Sequence, residues 1–170
     1  MITLYQATTE DIGILRDIAA KTWFVTYRDI LSSEQMHYMF DWMYSIESLE
    51  QQISVLNHVF FIASINKRPL GFVSIEKQTG NLFHLHKLYT LPESQGLGIG
   101  RILIHKAFDF AKKNAEGGIC ALELNVNRKN KALTFYQKMG MHISDEGDFD
   151  IGRGYYMNDY ILRIDFPIGS

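Results

Sequence analysis

The stretch Pro92-Glu93-Ser94-Gln95-Gly96-Leu97-Gly98-Ile99-Gly100-Arg101 alternates glycines with apolar residues, between the strand-like run Leu88-Tyr89-Thr90-Leu91 and a helical pattern. Glycine lets the main chain approach a ligand closely, and a helix start offers unpaired amides at the positive end of its dipole. Backbone donors at such a junction bind a pyrophosphate without any net positive charge on the protein. A tight strand-to-helix turn would use the same glycines, so glycine content alone leaves both readings open. Two nucleotide-binding patterns fit badly. A P-loop needs a lysine after its last glycine, followed by Ser or Thr, whereas Gly100 is followed by Arg101-Ile102. A dinucleotide fingerprint needs Gly-x-Gly-x-x-Gly inside a βαβ unit, whereas Gly96, Gly98 and Gly100 strictly alternate and 170 residues leave no room for a doubly wound fold.

Other residues carry chemistry by type. Tyr136 offers a hydroxyl whose ordinary pKa near 10 is close to that of a thiol, which suits a general acid. His84 and His86 lie two apart on a strand and face one side, and histidine titrates near neutrality, as a base should. Glu123 and Asn125 share a face of a later strand. Trp23, Tyr27, Tyr38, Trp42, Tyr155 and Tyr156 supply rings that flank an amine or its alkyl chain, although aromatics in helical stripes also build cores. Asp145, Glu146, Asp148 and Asp150 cluster late in the chain; they would attract a polycation, or form a solvated loop. Cys120, in an apolar strand, reads as core rather than nucleophile.

These residues need a scaffold. Ile2 to Ala7 reads as an opening strand, and Thr8 and Asp11 are spaced as a capping box before a helix carrying Ile14, Leu15, Ile18, Ala19 and Trp23. A second helix starts near Ser32 or Ser33, with Gln35 placed to reach back to Ser32; a short helical segment covers roughly 47–56. The β-branched and aromatic run from His58 to Ile65, the turn Asn66-Lys67-Arg68-Pro69 and the run from Leu70 to Ile75 form a hairpin. Phe83 to Thr90 follows as a strand, then an amphipathic helix from Arg101 to Ala115 stopped by Gly117-Gly118. A strand from Ile119 to Val126, a helix from Lys131 to Met139 and a strand from Tyr155 to Ile164 complete an α/β chain: a mixed sheet with helices on both faces.

Composition excludes several function classes. A net charge of −2 argues against a nucleic-acid binder, and a single cysteine excludes an intrachain disulfide and multi-cysteine metal sites. No basic stretch followed by an apolar run opens the chain, and no apolar segment approaches the ~18 residues of a membrane span. The expectation is one cytoplasmic domain over residues 1–170, with neither metal nor membrane nor nucleic acid as partner.

The glycine turn resembles the acetyl-CoA loop of the GNAT superfamily of N-acetyltransferases: Gln95-Gly96-Leu97-Gly98-Ile99-Gly100 matches its Gln/Arg-x-x-Gly-x-Gly/Ala signature, with Pro92 ahead of it. Downstream, Leu122 to Asn127 resembles the family's fifth strand, and Asn130 to Met141 resembles its Asn…Ala…Phe-Tyr-x-Lys-x-Gly-Phe block. The resemblance implies the acyl-CoA N-acyltransferase fold: a strand, two helices, three strands, a helix, a strand, a helix and two strands. It implies that Gln95, Gly96, Leu97, Gly98, Ile99, Gly100 and Arg101 hold the pyrophosphate of acetyl-CoA. Leu88 and Thr90 would pair with the pantetheine arm as if it were an added strand, and Asn130 and Tyr136 would contact the cofactor. Acetyl transfer by direct attack then needs a neutral amine, an oxyanion donor and a proton for the departing thiolate. The amide near Leu88 is the expected oxyanion donor, Tyr136 the acid, and His86 the base, directly or through water. Thr22-Trp23…Thr26-Tyr27 and Lys138-Met139-Gly140 resemble bacterial spermidine/spermine-type members. The expected acceptor is therefore a small amine or polyamine, or a peptide amino terminus, with Trp23, Tyr27, Tyr38, Trp42 and Tyr156 beside it. As in many relatives, the final strands would support a homodimer. The alternative is a non-catalytic acyl-CoA-binding sensor or regulatory module.

Overall fold

The computed structural model describes residues 1–168. β1 (Ile2–Gln6) leads through a 3-10 turn (Thr9–Asp11) into α1 (Ile12–Tyr27), α2 (Ser33–Tyr44) and α3 (Ile46–Ser54). β2 (Val59–Ile65), β3 (Arg68–Lys77) and β4 (Leu82–Thr90) form a meander. After a second 3-10 turn (Pro92–Ser94) come α4 (Ile99–Asn114), β5 (Gly118–Asn127), α5 (Ala132–Lys138), β6 (His142–Gly152) and β7 (Tyr155–Ile168).

The capping box before α1 is present: the Glu10 amide donates to Thr8 Oγ1 at 3.2 Å, and the Thr8 amide to Asp11 Oδ2 at 2.8 Å. α2 starts differently from the expectation. The Gln35 amide does donate to Ser32 Oγ, but the Gln35 side chain reaches across the fold to the Tyr156 carbonyl, 2.9 Å away. A distant orphan carbonyl thus outcompetes the local cap. The short segment at 47–56 is a genuine helix, capped by Ser45, whose hydroxyl accepts from the Ser48 amide. The acidic stretch expected as a solvated loop is strand β6. It pairs only with β7 at the sheet edge, where outward carboxylates protect an unpaired ladder.

The seven strands form one sheet in the order β1-β2-β3-β4-β5-β7-β6, and β4–β5 is the parallel pair because α4 carries the crossover between them. α4 covers one face with Leu103, Ile104, Ala107, Phe108 and Ala111 buried; α1, α2 and α3 cover the other. The two faces exchange phase along β4. Ser74 pairs with Lys87 and Ile75 with Leu85, so His86 is an extra residue, a β-bulge. Before it Phe83 packs on Phe110 of α4; beyond it Tyr89, also odd-numbered, packs on Tyr44 of α2. Gly71 of β3 is fixed by this packing, since a Cβ there would lie 2.6 Å from the Tyr89 carbonyl oxygen.

Candidate active site

β4 and β5 pair from Leu82↔Ala121 to Leu85↔Leu124 and then part. From His86 to Thr90 the edge of β4 that faces β5 has no strand partner, so Leu88 and Thr90 offer main-chain groups to an extended ligand. The gap leads to the glycine turn. Gly96 and Gly98 adopt φ of 86° and 80°, the left-handed region that favours glycine, and Gly98 caps α4. The turn does not offer every amide of the stretch: Gln95 donates to the Pro92 carbonyl and Leu97 to that of Ser94. The amides of Gly96, Gly98, Ile99, Gly100 and Arg101 donate to no carbonyl among the described residues, leaving a nest of donors at the positive end of a sixteen-residue helix.

At the gap itself, Tyr136 of α5 is 7% exposed, and burial, then the neighbouring Tyr27, pushes its phenol well above its ordinary pKa. Such a phenol stays protonated through the working pH range and is a weaker acid than an exposed tyrosine. Tyr27 is buried and pushed up to about 12, chiefly by burial. Asn130 is already occupied: its Oδ1 accepts the Ala132 amide at 2.9 Å at the start of α5, and its Nδ2 donates to Tyr27 Oη at 3.3 Å. It positions the tyrosine and the helix, and its second amide N–H and second oxygen lone pair have no side-chain partner among the described residues.

Four buried side-chain atoms have no hydrogen-bond partner among the described residues: Tyr44 Oη, His58 Nδ1, Ser74 Oγ and Asp159 Oδ1. Tyr44, His58 and Ser74 neighbour Tyr89, His86 and Lys87 of β4, and Asp159 lies on β7 beside β5; buried polar groups left without a partner signal a missing ligand or solvent. Asp159 of β7 is 6% exposed, and its other oxygen takes only a long 3.4 Å contact from Asn125 Nδ2. Burial raises its pKa, against the smaller opposing effects of Asn125 and Arg128.

His86 does share a side with His84, their rings 4.6 Å apart. Its Nε2 lies 2.8 Å from Glu76 Oε1, and its ring stacks on His58 at 4.2 Å and 9°. Burial, then His84 and Lys87, pushes its pKa down to about 3. The imidazole is therefore neutral, and in this ligand-free arrangement its protonated form is disfavoured. Among the described residues, His58, Glu76 and His86 are the set with metal-ligand types in proximity.

Lys87 escaped the sequence reading. Its ammonium is 8% exposed, donates to Gln52 Oε1 at 2.8 Å, and lies over the Tyr44 and Phe60 rings; burial pulls its pKa down to about 8. Strict alternation assigns it to the α4 face, and the bulge at His86 moves it to the site. Asp159 was missed because a lone carboxylate within a late strand carries no spacing signal.

The aromatics separate into groups. Tyr27 joins the site. Trp23 is core, its indole N–H donating to the Met36 carbonyl at 3.0 Å. Tyr38 ties α2 to the end of β6 through the Ile151 carbonyl and packs on Tyr155. Trp42 faces solvent at 56% exposure, off the buried stripe of α2, and Tyr156 is 51% exposed on β7. In the acidic cluster, Glu146 and Asp148 pair with Arg128, whose guanidinium also holds the Gly147 and Asp159 carbonyls. These carboxylates brace the β6–β7 hairpin against the β5–α5 connection. Cys120 is fully buried. A cleft of about 590 Å³ between the first 3-10 turn and α1–α3, lined by Ile12, Arg16, Phe40 and Glu50, holds none of this cluster. No helix of the described residues is long and apolar enough to cross a membrane.

The acetyltransferase (GNAT) family profile matches residues 15–141. A spermidine N(1)-acetyltransferase of Thermoplasma acidophilum is 30% identical over 154 residues, covering 88% of this chain and 93% of that protein. An N-acetyltransferase of Methanocaldococcus jannaschii is 37% identical over 90 residues, 48% of this chain but only 38% of that longer protein. The crystal structure of the PaiA N-acetyltransferase from Thermoplasma acidophilum, in complex with coenzyme A, superposes with a TM-score of 0.82 at 27% identity, covering 98% of this chain and 99% of that one. With its parted strands, free amide nest and buried tyrosine already in place, the chain belongs to the GNAT family and is an acetyl-CoA-dependent N-acetyltransferase.

Proposed function

We propose that the acceptor is a small primary amine carrying a second positive charge, a polyamine before a peptide amino terminus. The observation that carries this reading is the Asp159 carboxylate, buried, its Oδ1 without a hydrogen-bond partner and the carboxylate without a salt bridge among the described residues, although Arg128 stands close enough to favour its charge. A buried carboxylate without a partner is costly, and an ammonium that brings its own hydrogen bonds removes that cost. The likeness to a spermidine N(1)-acetyltransferase supports the same class.

The free amides of the glycine turn hold the diphosphate of acetyl-CoA, and the β4 edge at Leu88 and Thr90 holds the pantetheine arm. An amide near Leu88 stabilises the oxyanion as the amine nitrogen attacks the thioester carbonyl. His86, oriented by Glu76, takes the proton the attacking nitrogen loses, directly or through water. Tyr136 gives its proton to the thiolate as the carbon–sulfur bond breaks, so one proton enters and one leaves the protein per turnover.

Thiol release from acetyl-CoA across a panel of polyamines, monoamines and peptides tests this. Turnover should be fastest with polyamines. Faster turnover with peptides reassigns the acceptor, and coenzyme A binding with no turnover on any amine points to a sensor.

A further inference from the structure

We propose that His58, Glu76 and His86 form a binding site for a borderline divalent cation, zinc being the expected occupant, beside the acetyl-transfer centre. The three residues come from separate places in the chain: His58 leads into β2, Glu76 lies near the end of β3, and His86 is the bulge of β4. One ligating atom from each lies within 4.8 Å of the others. Glu76 Oε1 is the common point, 2.8 Å from His86 Nε2 and 3.6 Å from His58 Nε2. The imidazoles stack nearly parallel, 9° apart, so their in-plane lone pairs run side by side and one ring must turn out of the stack for both to reach one ion.

Two imidazoles and a carboxylate match the ligand preferences of zinc, with bond lengths near 2.0–2.2 Å and donors about 3.3 Å apart in a tetrahedron. The present spacing closes to that value by side-chain rotation. Room for it exists, because the side chains of His86 and Glu76 are 26% and 24% exposed, and that exposure also admits the ion and a water as fourth ligand. Magnesium and calcium, which want oxygen ligands, are selected against. The bulge is what makes the set. It adds His86 to the strand while Glu76 keeps its register with His84, bringing the extra imidazole onto the carboxylate. The Lys87 ammonium nearby, held by Gln52, opposes a second cation and makes this a site of modest affinity rather than a structural one. In neutral His86 the Nε2 proton faces Glu76 and the lone pair is on Nδ1; an ion on Nε2 sends that proton to Nδ1 and leaves no lone pair free, so the ion acts as a brake on acetyl transfer.

The test is titration of the tag-free, chelator-treated full chain with zinc, read by calorimetry and by melting temperature, and with cobalt(II), read by its visible spectrum. One ion should bind per chain, raise the melting temperature by several degrees and give the absorption of a four-coordinate cobalt centre with nitrogen ligands. His58→Gln should weaken zinc at least tenfold. His86→Gln, at a more exposed position, should weaken binding equally and guards against a folding defect in the first variant. Absence of binding, or wild-type affinity retained in both variants, overturns the proposal. Stoichiometric binding lost in both variants, but with zinc leaving wild-type turnover unchanged, keeps the metal site and removes the brake together with the base role of His86.

Discussion

Replacing Asp159 by Asn separates the two demands on the buried carboxylate. In the ligand-free protein its Oδ1 has no partner and its Oδ2 only a 3.4 Å contact, so ionisation in the folded state is unfavourable and its pKa is raised. A raised folded-state carboxylate supports folding below its unfolded pKa and loses that contribution as pH rises through the folded value. Asp159→Asn removes the penalty above that point while keeping shape and one hydrogen-bonding oxygen. An unsatisfied buried polar group costs roughly 1–3 kcal/mol, and the new amide is itself partly unsatisfied, so about 1 kcal/mol of net gain is expected near neutral pH. For a chain of this size that is a melting temperature higher by about 2–4 °C, the advantage shrinking as acid protonates the wild-type carboxylate. Polyamine acetylation should move the other way. Losing a charged hydrogen bond worth about 1.5–3 kcal/mol raises the polyamine KM by about 10–150-fold, with coenzyme A affinity unchanged. The acidic limb of wild-type kcat/KM for the polyamine should also lie above the ordinary carboxylate value of 3.8 and vanish in the variant. Melting curves from pH 4 to pH 8 and polyamine saturation kinetics read both halves. An unchanged polyamine KM would refute Asp159 as the cation anchor, and a melting temperature lowered across that range would show the carboxylate to be a structural partner instead.

Tyr136→Phe should lower kcat by about 10²–10⁴-fold with little change in coenzyme A affinity, measured by single-turnover thiol release and calorimetry. Because burial raises the phenol, wild-type kcat should show no alkaline loss from Tyr136 near pH 10. Gly98→Ala meets no atom within 4 Å, so its cost is the left-handed backbone at φ 80°, about 1–2 kcal/mol, and it should weaken coenzyme A at least several-fold by re-aiming the turn. Gly100→Ala, with Phe135 at a comfortable 3.5 Å, should bind coenzyme A more nearly as wild type does. Gly71→Ala forces a Cβ to 2.6 Å from a backbone oxygen that cannot swing away, and should destabilise by about 1–3 kcal/mol in urea.

Most of the scaffold was legible because its signals are local. The capping box at Thr8, the stripe of α4 and the strand runs of β2 to β5 each follow from spacing within a dozen residues. What was not legible depends on atoms far apart in the chain. Gln35 leaves its own helix start for a carbonyl 121 residues away, and two of the solvent-facing carboxylates of β6, Glu146 and Asp148, also pair with Arg128. Asn130, read as a cofactor contact, also ties Tyr27 to the start of α5, a link between residues 103 positions apart. The same limit governs the site: the glycine turn and Tyr136 stand out as a contiguous motif, whereas Asp159 and Lys87 matter only through what surrounds them.

The bulge at His86 links these observations. Without it, period-2 alternation carries Lys87 to the α4 face, against the apolar residues of Leu103 and Ala107 type, where a charge has no partner. With it, one extra residue rotates the remainder of β4, so that Lys87 meets Gln52, Tyr89 meets Tyr44, and Leu88 and Thr90 flank the opening toward β5. The insertion falls where the ladder to β5 ends, one residue after Leu85↔Leu124. Bending and parting are then two consequences of one local change: the strand twists away from its parallel neighbour and re-aims its side chains in the same step. The polar groups left unsatisfied around that point are therefore the expected companions of a gap open to an extended ligand.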